Sequence, residues 1–269
     1  MNNDPGNISS RFQILYEDNH LISVVKPAGI LSQSDGSGAE DMITLLSDDI
    51  ARRRGKPGRA FVGLIHRLDR NVGGTMFFAK TSKGASRASE DMRTGNFYKG
   101  YLALTAGRLA GEEGWLRHRL EKDAKQNRVF PSEQGRDCIL YYRRLCGIPE
   151  SGELPERTVY FAVPVTGRAH QIRAQFALSG APLLGDNKYG TGMLTRRHEL
   201  GLWSALASVR KTVDRGERIW VNALPDGALW RDGDGKLPGE AEAFICSDTV
   251  KTLLPAIKSE CGFGGDADD

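Results

Sequence analysis

An aspartate stands between two arginines where an apolar run ends in a glycine-containing turn. Asp69 lies between Arg67 and Arg70, and Gly73 and Gly74 follow. A carboxylate at the end of a strand, flanked by opposite charges, is expected to stay ionised and is a candidate nucleophile. From spacing alone, an aspartate that caps the turn and pairs with arginine is the simpler explanation, and both interpretations stay open.

A second segment, residues 166–176, combines a helical apolar pattern with polar side chains. Its buried stripe is predicted to consist of Ala169, Ile172 and Phe176. His170 and Arg173 are three residues apart and share an adjacent flank of this helix. The Arg173 guanidinium could pair with a buried carboxylate such as Asp69, or its aliphatic stem could simply cover the core at the surface.

Other residue types give no clear site. The five histidines show no H-x-H or H-E-x-x-H spacing, and the four cysteines show no C-x-x-C spacing. These patterns predict no metal site and four reduced, ordinary cysteines, Cys138, Cys146, Cys246 and Cys261. Residues 182–190 are predicted to form a turn-rich loop with no chemistry of its own.

The overall composition excludes whole classes of protein, and the distribution of charge suggests a ligand. The 269 residues are 39% hydrophobic and 26% charged, which fits neither a membrane protein nor a disordered chain. The net charge is only +3. However, basic residues concentrate at 51–70 and 117–128. Both stretches could bind phosphate, although solvated faces explain such runs as well.

Short β-rich runs and a few helices alternate irregularly along the chain. Strands are predicted at residues 12–16, 21–25, 61–65, 75–79, 98–105, 139–143, 159–165 and 219–223. Helices are predicted at 41–53, 82–94 with Ser82 as N-cap, 169–179, 200–209 and 241–254. Strands outnumber helices without regular alternation, so an α+β fold is favoured over a doubly wound sheet.

The same pass along the chain predicts its organisation. Residues 1–10 are expected to form a flexible arm, 11–257 a single domain, and 258–269 an acidic flexible tail. No apolar run approaches the roughly 18 residues of a membrane helix, and the first residues do not resemble an export signal. A cytoplasmic protein is therefore expected.

Taken in order, several motifs resemble those of the RluA-type pseudouridine synthases, which isomerise uridines in ribosomal or transfer RNA. The resemblance rests on an ordered set of blocks between residues 12 and 225. These blocks are residues 14–18, 25–29, 66–69, 79–81, 99–103, 167–173, 184–186 and 189–190. A single block is weak, whereas the ordered set is specific.

The resemblance implies a fold, an activity and roles for named residues. It implies a mixed, largely antiparallel bent sheet flanked by helices and loops, with a central RNA-binding cleft. Asp69 matches the catalytic aspartate, Tyr101 the tyrosine beside the target base, and Arg173 the arginine paired with the aspartate. RNA contacts are expected from Arg67, Arg70, Arg168, His170 and Gln171, with Arg67 entering the RNA as the base leaves.

The resemblance also implies that no cofactor is needed and that RNA is the partner, and a monomer is the default expectation. It is incomplete, because residues 72–76 read Val-Gly-Gly-Thr-Met where the family usually has Thr-Ser-Gly-Leu-Leu, and Ala169 replaces a common threonine. The small RNA-binding domain that some members carry before the catalytic domain is not expected here. An RNA-binding or chaperone protein on the same scaffold, and a sugar-cleaving hydrolase using Asp69, are the alternatives.

Overall fold

The computed structural model describes residues 11–55, 57–190 and 199–262, which form two compact units. The first unit contains residues 11–98 and Leu206–Ala223, and the second contains Lys99–Ala205 and residues 224–262. The predicted single domain over residues 11–257 stays a prediction.

Each unit combines strands with helices. The first contains β1 (Ile14–Glu17), β2 (Leu21–Lys26), α1 (Met42–Arg53), β3 (Gly63–Leu64), β4 (Gly73–Ala79), α2 (Ser82–Arg93) and β11 (Arg218–Asn222). The second contains β6 (Glu113–Asp123), β7 (Arg128–Pro131), β8 (Arg136–Ile148), β9 (Arg157–Pro164), α3 (Gln171–Leu178), α4 (Gly239–Cys246) and α5 (Asp248–Glu260). A 3₁₀ helix spans Ala228–Trp230. Two further strands cross the division of the chain, β5 (Tyr98–Thr105) and β10 (Leu202–Arg210).

The sheet of the first unit is built around β4, all of whose residues are buried. β2 pairs antiparallel with both β1 and β4, and β3 pairs with the end of β4. The last five residues of β10 pair antiparallel with β11. One buried apolar cluster of this unit contains Leu21, Phe77, Ala79, Ala88, Phe97, Ala207, Val209, Ile219 and Val221.

Local capping explains where the two helices of the first unit begin. The Asp41 carboxylate accepts a hydrogen bond from the amide of Thr44 at 3.1 Å, so Asp41 is the N-cap and α1 begins at Met42. α2 is capped by the Thr81 hydroxyl, which accepts the amide of Gly84. The predicted cap, Ser82, is therefore wrong by one residue. Gly95, with φ +70°, follows the end of α2 as expected.

In the second unit the strand order is β5, β9, β8, β6 and β7, and every neighbouring pair is antiparallel. α3 packs on the β6–β7 hairpin through Ala174, which joins a cluster with Leu120, Val129 and Cys138. This packing fixes the helix that carries Arg173.

Four sequence-based expectations are corrected by the structure. The segment predicted as a helix at 200–209 is strand β10. Its small and apolar residues are buried on both faces of the sheet, so the sequence lacks the alternation that would have indicated a strand. β6 and β7 were missed, since half-exposed strands rich in charge resemble loops. The predicted helix 241–254 is two helices separated at Ser247. α5 runs through Glu260 with Lys258 buried, so the predicted tail begins too early.

The α+β class itself is confirmed, as are α1, α2, α3 and most strands with shifted ends. The predicted arm at 1–10 and the rest of the tail, residues 263–269, lie outside the described residues. Among the described residues, no helix is both long and apolar enough to cross a membrane.

Candidate active site

Asp69 lies in the first unit, at the start of a tight turn that leads from β3 into β4. Its carbonyl accepts the amide of Val72 at 3.0 Å, which closes the turn. Gly74 has a φ of +116°, a conformation that favours glycine as the chain enters β4. Asp69 is half-buried, whereas Arg67 and Arg70 on either side are exposed.

Both backbone neighbours of Asp69 are held by the loop after β2. The buried Ser32 hydroxyl donates to the carbonyl of Leu68 at 2.8 Å and accepts the amide of Leu68 at 3.0 Å. On the other side, the Gly29 amide donates to the Arg70 carbonyl, and Arg70 Nε donates to the Gly29 carbonyl at 2.9 Å. The backbone on either side of Asp69 is thus held by hydrogen bonds.

Lys26 also contributes hydrogen bonds to this turn, a contribution that the sequence analysis did not predict. It is fully buried at the end of β2, and its ammonium donates to the carbonyls of Pro27, Ile30 and Arg70 at 2.9, 2.6 and 3.0 Å. Burial lowers the pKa of Lys26 to about 7, while the charge of Asp69 opposes this shift. The signal available in the sequence was a lysine that ends an apolar strand.

In the second unit, Arg173 forms a buried bidentate ion pair. Its Nε and Nη2 donate to the two carboxylate oxygens of Asp186, both at 2.7 Å, and the two residues are only 8% and 2% exposed. Burial would raise the pKa of Asp186, but Arg173 and the amides of Lys188 and Tyr189 hold it below its usual value. Such a fork-to-carboxylate pair fixes the plane of the guanidinium.

Asp186 was missed by the sequence analysis, which expected no chemistry in residues 182–190. That expectation is wrong, because this loop supplies the carboxylate that orients Arg173. The prediction that Arg173 pairs with a buried carboxylate is confirmed in kind. Its pairing with Asp69 stays a prediction, and a guanidinium has five N–H donors, more than Asp186 occupies.

The loop before α3 is shaped by its own polar side chains. The buried Gln171 amide accepts from Thr166 Oγ1 and the Arg168 amide, and it donates to the Ile139 carbonyl at 3.0 Å. His170 adopts a left-handed φ of +52°, and its Nδ1 lies 2.9 Å from the Tyr189 hydroxyl. These contacts occupy the side chain of Gln171 within the fold, and its predicted contact with RNA stays a prediction. Arg168 is exposed.

Tyr101 is the other predicted catalytic residue of the second unit. It is buried on β5, where it pairs with Ala162 of β9. Each unit therefore carries its own part of the predicted constellation, Asp69 in the first and Tyr101 with Arg173 in the second.

Three arginines of the first basic stretch, Arg52, Arg53 and Arg59, lie beside acidic groups. Arg52 and Arg53 both bind the Asp49 carboxylate, at 3.0 and 2.7 Å, and Arg53 also pairs with Glu17. Within the described residues Arg54 makes no ion pair, and Arg59 lies 3.5 Å from Asp48. Lys56, which was counted with this stretch, lies outside the described residues.

A pocket of about 270 Å³ lies beside Arg54 and Arg59. Its lining includes Arg54, Arg59, Lys80 and the exposed ring of Phe61, which is 56% accessible. Because Lys80 pairs with Glu17 and Arg59 lies near Asp48, Arg54 is the cation of this pocket best able to bind an anion among the described residues.

The second basic stretch lies on the β6–β7 hairpin of the second unit. Arg117 stacks on the Trp115 ring at 5.6 Å, and Arg128 stacks on the Tyr189 ring at 5.3 Å. Arg119 and Lys122 are exposed on β6. Among the described residues, no group of three or more His, Cys, Asp or Glu side chains could hold a metal ion, and the four cysteines are free thiols.

Comparison with known proteins identifies the family. A family profile described as RNA pseudouridylate synthase matches residues 20–178, which include Asp69, Tyr101 and Arg173. The chain belongs to the RNA pseudouridylate synthase family, and its resemblance to the RluA type is confirmed.

Curated relatives share part of their length with this chain. The ribosomal large subunit pseudouridine synthase C of Rickettsia bellii is 30% identical over 184 residues, which are 67% of this chain and 58% of that protein. The protein of the same name from Haemophilus influenzae is 33% identical over 200 residues, 71% of this chain and 56% of its own. The matched region thus spans just over half of these relatives.

Solved structures confirm the fold. Human RNA Pseudouridylate Synthase Domain Containing 1 superposes with a TM-score of 0.68, covering 94% of this chain and 98% of its own at 20% identity. The human Domain Containing 4 protein gives a TM-score of 0.62, covering 84% of this chain and 89% of its own, also at 20% identity. At such identities the comparison establishes the fold alone.

Replacing Ser32 with alanine is expected to loosen the Asp69 turn. The substitution leaves the amide and carbonyl of Leu68 without their buried partner, at a cost of about 1–3 kcal/mol in the free energy of unfolding. Urea unfolding and hydrogen exchange at the Leu68 amide measure the effect. Ser34→Ala, at an exposed position of the same loop, is the matched control. Unchanged exchange at Leu68 in Ser32→Ala would contradict this assignment.

Asp186→Asn is expected to destabilise the second unit by about 3–5 kcal/mol, because it leaves the buried Arg173 without its counter-charge. The lowered pKa of Asp186 means that this stabilisation is present above its ordinary value of 3.8 and is lost as pH falls further. The stability difference between the wild type and the variant should therefore shrink in acid. Exposed Asp137→Asn is the control, and an equal loss from both substitutions would refute the role of Asp186.

Proposed function

We propose that this protein is an RNA pseudouridine synthase that isomerises specific uridines in structured RNA, with ribosomal RNA as its substrate. Two observations support the substrate. The chain belongs to the pseudouridylate synthase family, and the curated relatives are named as acting on the large ribosomal subunit. Transfer RNA, which the resemblance also allows, has no such support.

The observation that carries the proposal is the fixed turn around Asp69. A half-buried carboxylate whose backbone neighbours are both held by hydrogen bonds is oriented before substrate arrives. Preorganisation of this kind lowers the barrier because no reorientation is needed during the reaction. We propose Asp69 as the nucleophile that attacks or stabilises the ribose carbon C1′ of the uridine.

The proposed reaction conserves all atoms. The bond from N1 of uracil to C1′ breaks, and its electron pair leaves with the base. The base turns, C5 bonds to C1′, the proton on C5 is lost and N1 gains a proton. Asp69 would stabilise C1′ while it is electron-poor, as carboxylates do in glycosidases. The balance requires neither an oxidant nor an external energy source.

The remaining roles follow from the resemblance and the local geometry. Tyr101 would pack against the target base, and Arg173, oriented by Asp186, would keep the Asp69 carboxylate charged and in place. The reacting atoms are hidden while uridine is stacked, so the nucleotide must be flipped out at a cost of about a few kcal/mol. Exposed Arg67 would fill the space that the base leaves.

RNA contacts outside the reacting nucleotide are proposed for both basic stretches. In the first, the pocket with Arg54, Arg59 and Phe61 combines cations with an exposed aromatic ring, a combination that suits an unpaired nucleotide. In the second, the exposed face of the β6–β7 hairpin offers Arg119 and Lys122. Arg70, Arg168 and His170 stay predicted RNA contacts, as do the central cleft, the cytoplasmic location and the monomeric state.

Asp69→Asn is expected to abolish pseudouridine formation while leaving RNA binding intact, because the neutral amide cannot act as a nucleophile. The assay measures the pseudouridine that the protein forms in ribosomal RNA taken from cells lacking the gene. The control is Asp248→Asn, which changes an exposed aspartate of α5. Equal activity of wild type and Asp69→Asn would refute the mechanism. No product from either would favour an RNA-binding protein, and free uracil would favour a hydrolase.

Phe61→Leu is expected to weaken binding of a short oligouridylate by roughly 5- to 150-fold, because base stacking on an aromatic ring contributes about 1–3 kcal/mol. Arg54→Gln should reduce the slope of log affinity against log salt by about 0.7. Fluorescence anisotropy at several salt concentrations measures both.

Phe61→Trp, which keeps a ring, should bind as the wild type does. Arg87→Gln removes a paired, exposed charge on α2 and is the control for charge. If Phe61→Leu and Arg54→Gln left both affinity and salt slope unchanged, the pocket would play no part in RNA binding.

A further inference from the structure

Lys99 is a half-buried cation without a partner in the second unit. It is the second residue of β5. Among the described residues its ammonium makes neither an ion pair nor a hydrogen bond. Burial alone lowers the pKa of Lys99 to about 8. A partly desolvated ammonium with no counter-charge is unfavourable for folding, which makes a binding role the more economical explanation.

The strand fixes the side to which Lys99 is directed. Residues two apart on a strand lie on the same face, so Lys99 shares its face of β5 with Tyr101. Both residues belong to the second unit, where Tyr101 is buried.

The ammonium of Lys99 also lies against the loop that precedes α3. A methyl group built on Gly167 would lie 3.6 Å from Lys99 Nζ. This loop is held rigid by the Gln171 amide, and its charged or titratable side chains are Arg168 and His170. Lys99 Nζ therefore stands between the face of β5 that carries Tyr101 and the loop that leads to Arg173.

We propose that Lys99 is the cation of a site that binds a phosphate oxygen of the RNA, next to the nucleotide that Tyr101 contacts. The identity of the ligand rests on the proposed function, since RNA is the anion that such an enzyme must hold. A phosphate supplies the missing counter-charge, and the contact is strong because the ammonium is partly shielded from water. The contact would position the target nucleotide without taking part in bond exchange.

The test compares Lys99→Met, Lys99→Arg and the wild-type chain in binding a short oligouridylate. Lys99→Met should bind roughly 10-fold or more weakly, with a salt slope lower by about 0.7, whereas Lys99→Arg should keep most of the affinity. Lys83→Met removes one exposed lysine of α2 and controls for net charge. Unchanged affinity and slope in Lys99→Met would overturn the proposal.

An oligouridylate with neutral methylphosphonate linkages identifies the oxygen. If Lys99 binds phosphate, Lys99→Met and the wild type should bind this neutral chain equally. If Lys99→Met weakened binding of the neutral and the natural oligouridylate equally, the contact would be to the base or sugar, and the phosphate site would be overturned. In the wild type, the pKa of Lys99 measured by NMR should rise from about 8 when the natural oligouridylate is added, and no rise would count against the site.

Stability separates a binding role from a structural one. Because Lys99 is an unpaired cation, Lys99→Met should unfold at a higher temperature than the wild type at pH 7. The lowered pKa means that the unfolded chain binds more protons between about 8 and 10.5, so this advantage should shrink as pH rises through that range. A less stable Lys99→Met with an unchanged salt slope would mark Lys99 as structural.

These measurements do not depend on catalysis. A wild-type chain that binds oligouridylate through Lys99 but forms no pseudouridine would refute the proposed function and leave the phosphate site intact. A chain that forms pseudouridine but binds oligouridylate with no contribution from Lys99 would refute the phosphate site and leave the proposed function intact.

Discussion

A buried ammonium joined to three backbone carbonyls is the interaction on which the Asp69 turn depends. Lys26 connects the loop after β2 to the residue that follows Asp69, by donating to the carbonyls of Pro27, Ile30 and Arg70. Water cannot replace this donor, because Lys26 is fully buried. The backbone on either side of the carboxylate is therefore set by the packing of β2, long before any substrate is present.

The second unit uses the same principle with a different chemistry. Arg173 is oriented by a carboxylate from the loop after α3, and that carboxylate is itself held by two backbone amides. A buried ion pair gives little net stability compared with apolar packing, yet removing one partner is costly. Its value here is the fixed direction of a guanidinium, which keeps further N–H donors for other acceptors.

The charges of the chain divide into those satisfied within the fold and those left for a ligand. Arg52, Arg53 and Lys80 have carboxylate partners, so their density in the sequence overstates the positive field available to RNA. Arg54 and Lys99 have none among the described residues. The proposed binding of RNA is therefore compatible with a net charge of only +3, because a few well-placed cations are sufficient to bind a polyanion.

The sequence by itself determined the family, the α+β class and helices α1 and α2. Motif order and residue type are written in the chain, and capping depends on residues three apart, such as Asp41 and Thr44. Only tertiary contacts explain why residues 202–210 form a strand, why Arg173 pairs with Asp186, and which of the described lysines and arginines lack an acidic partner. Those outcomes depend on burial and on contacts between distant residues, which no local pattern records.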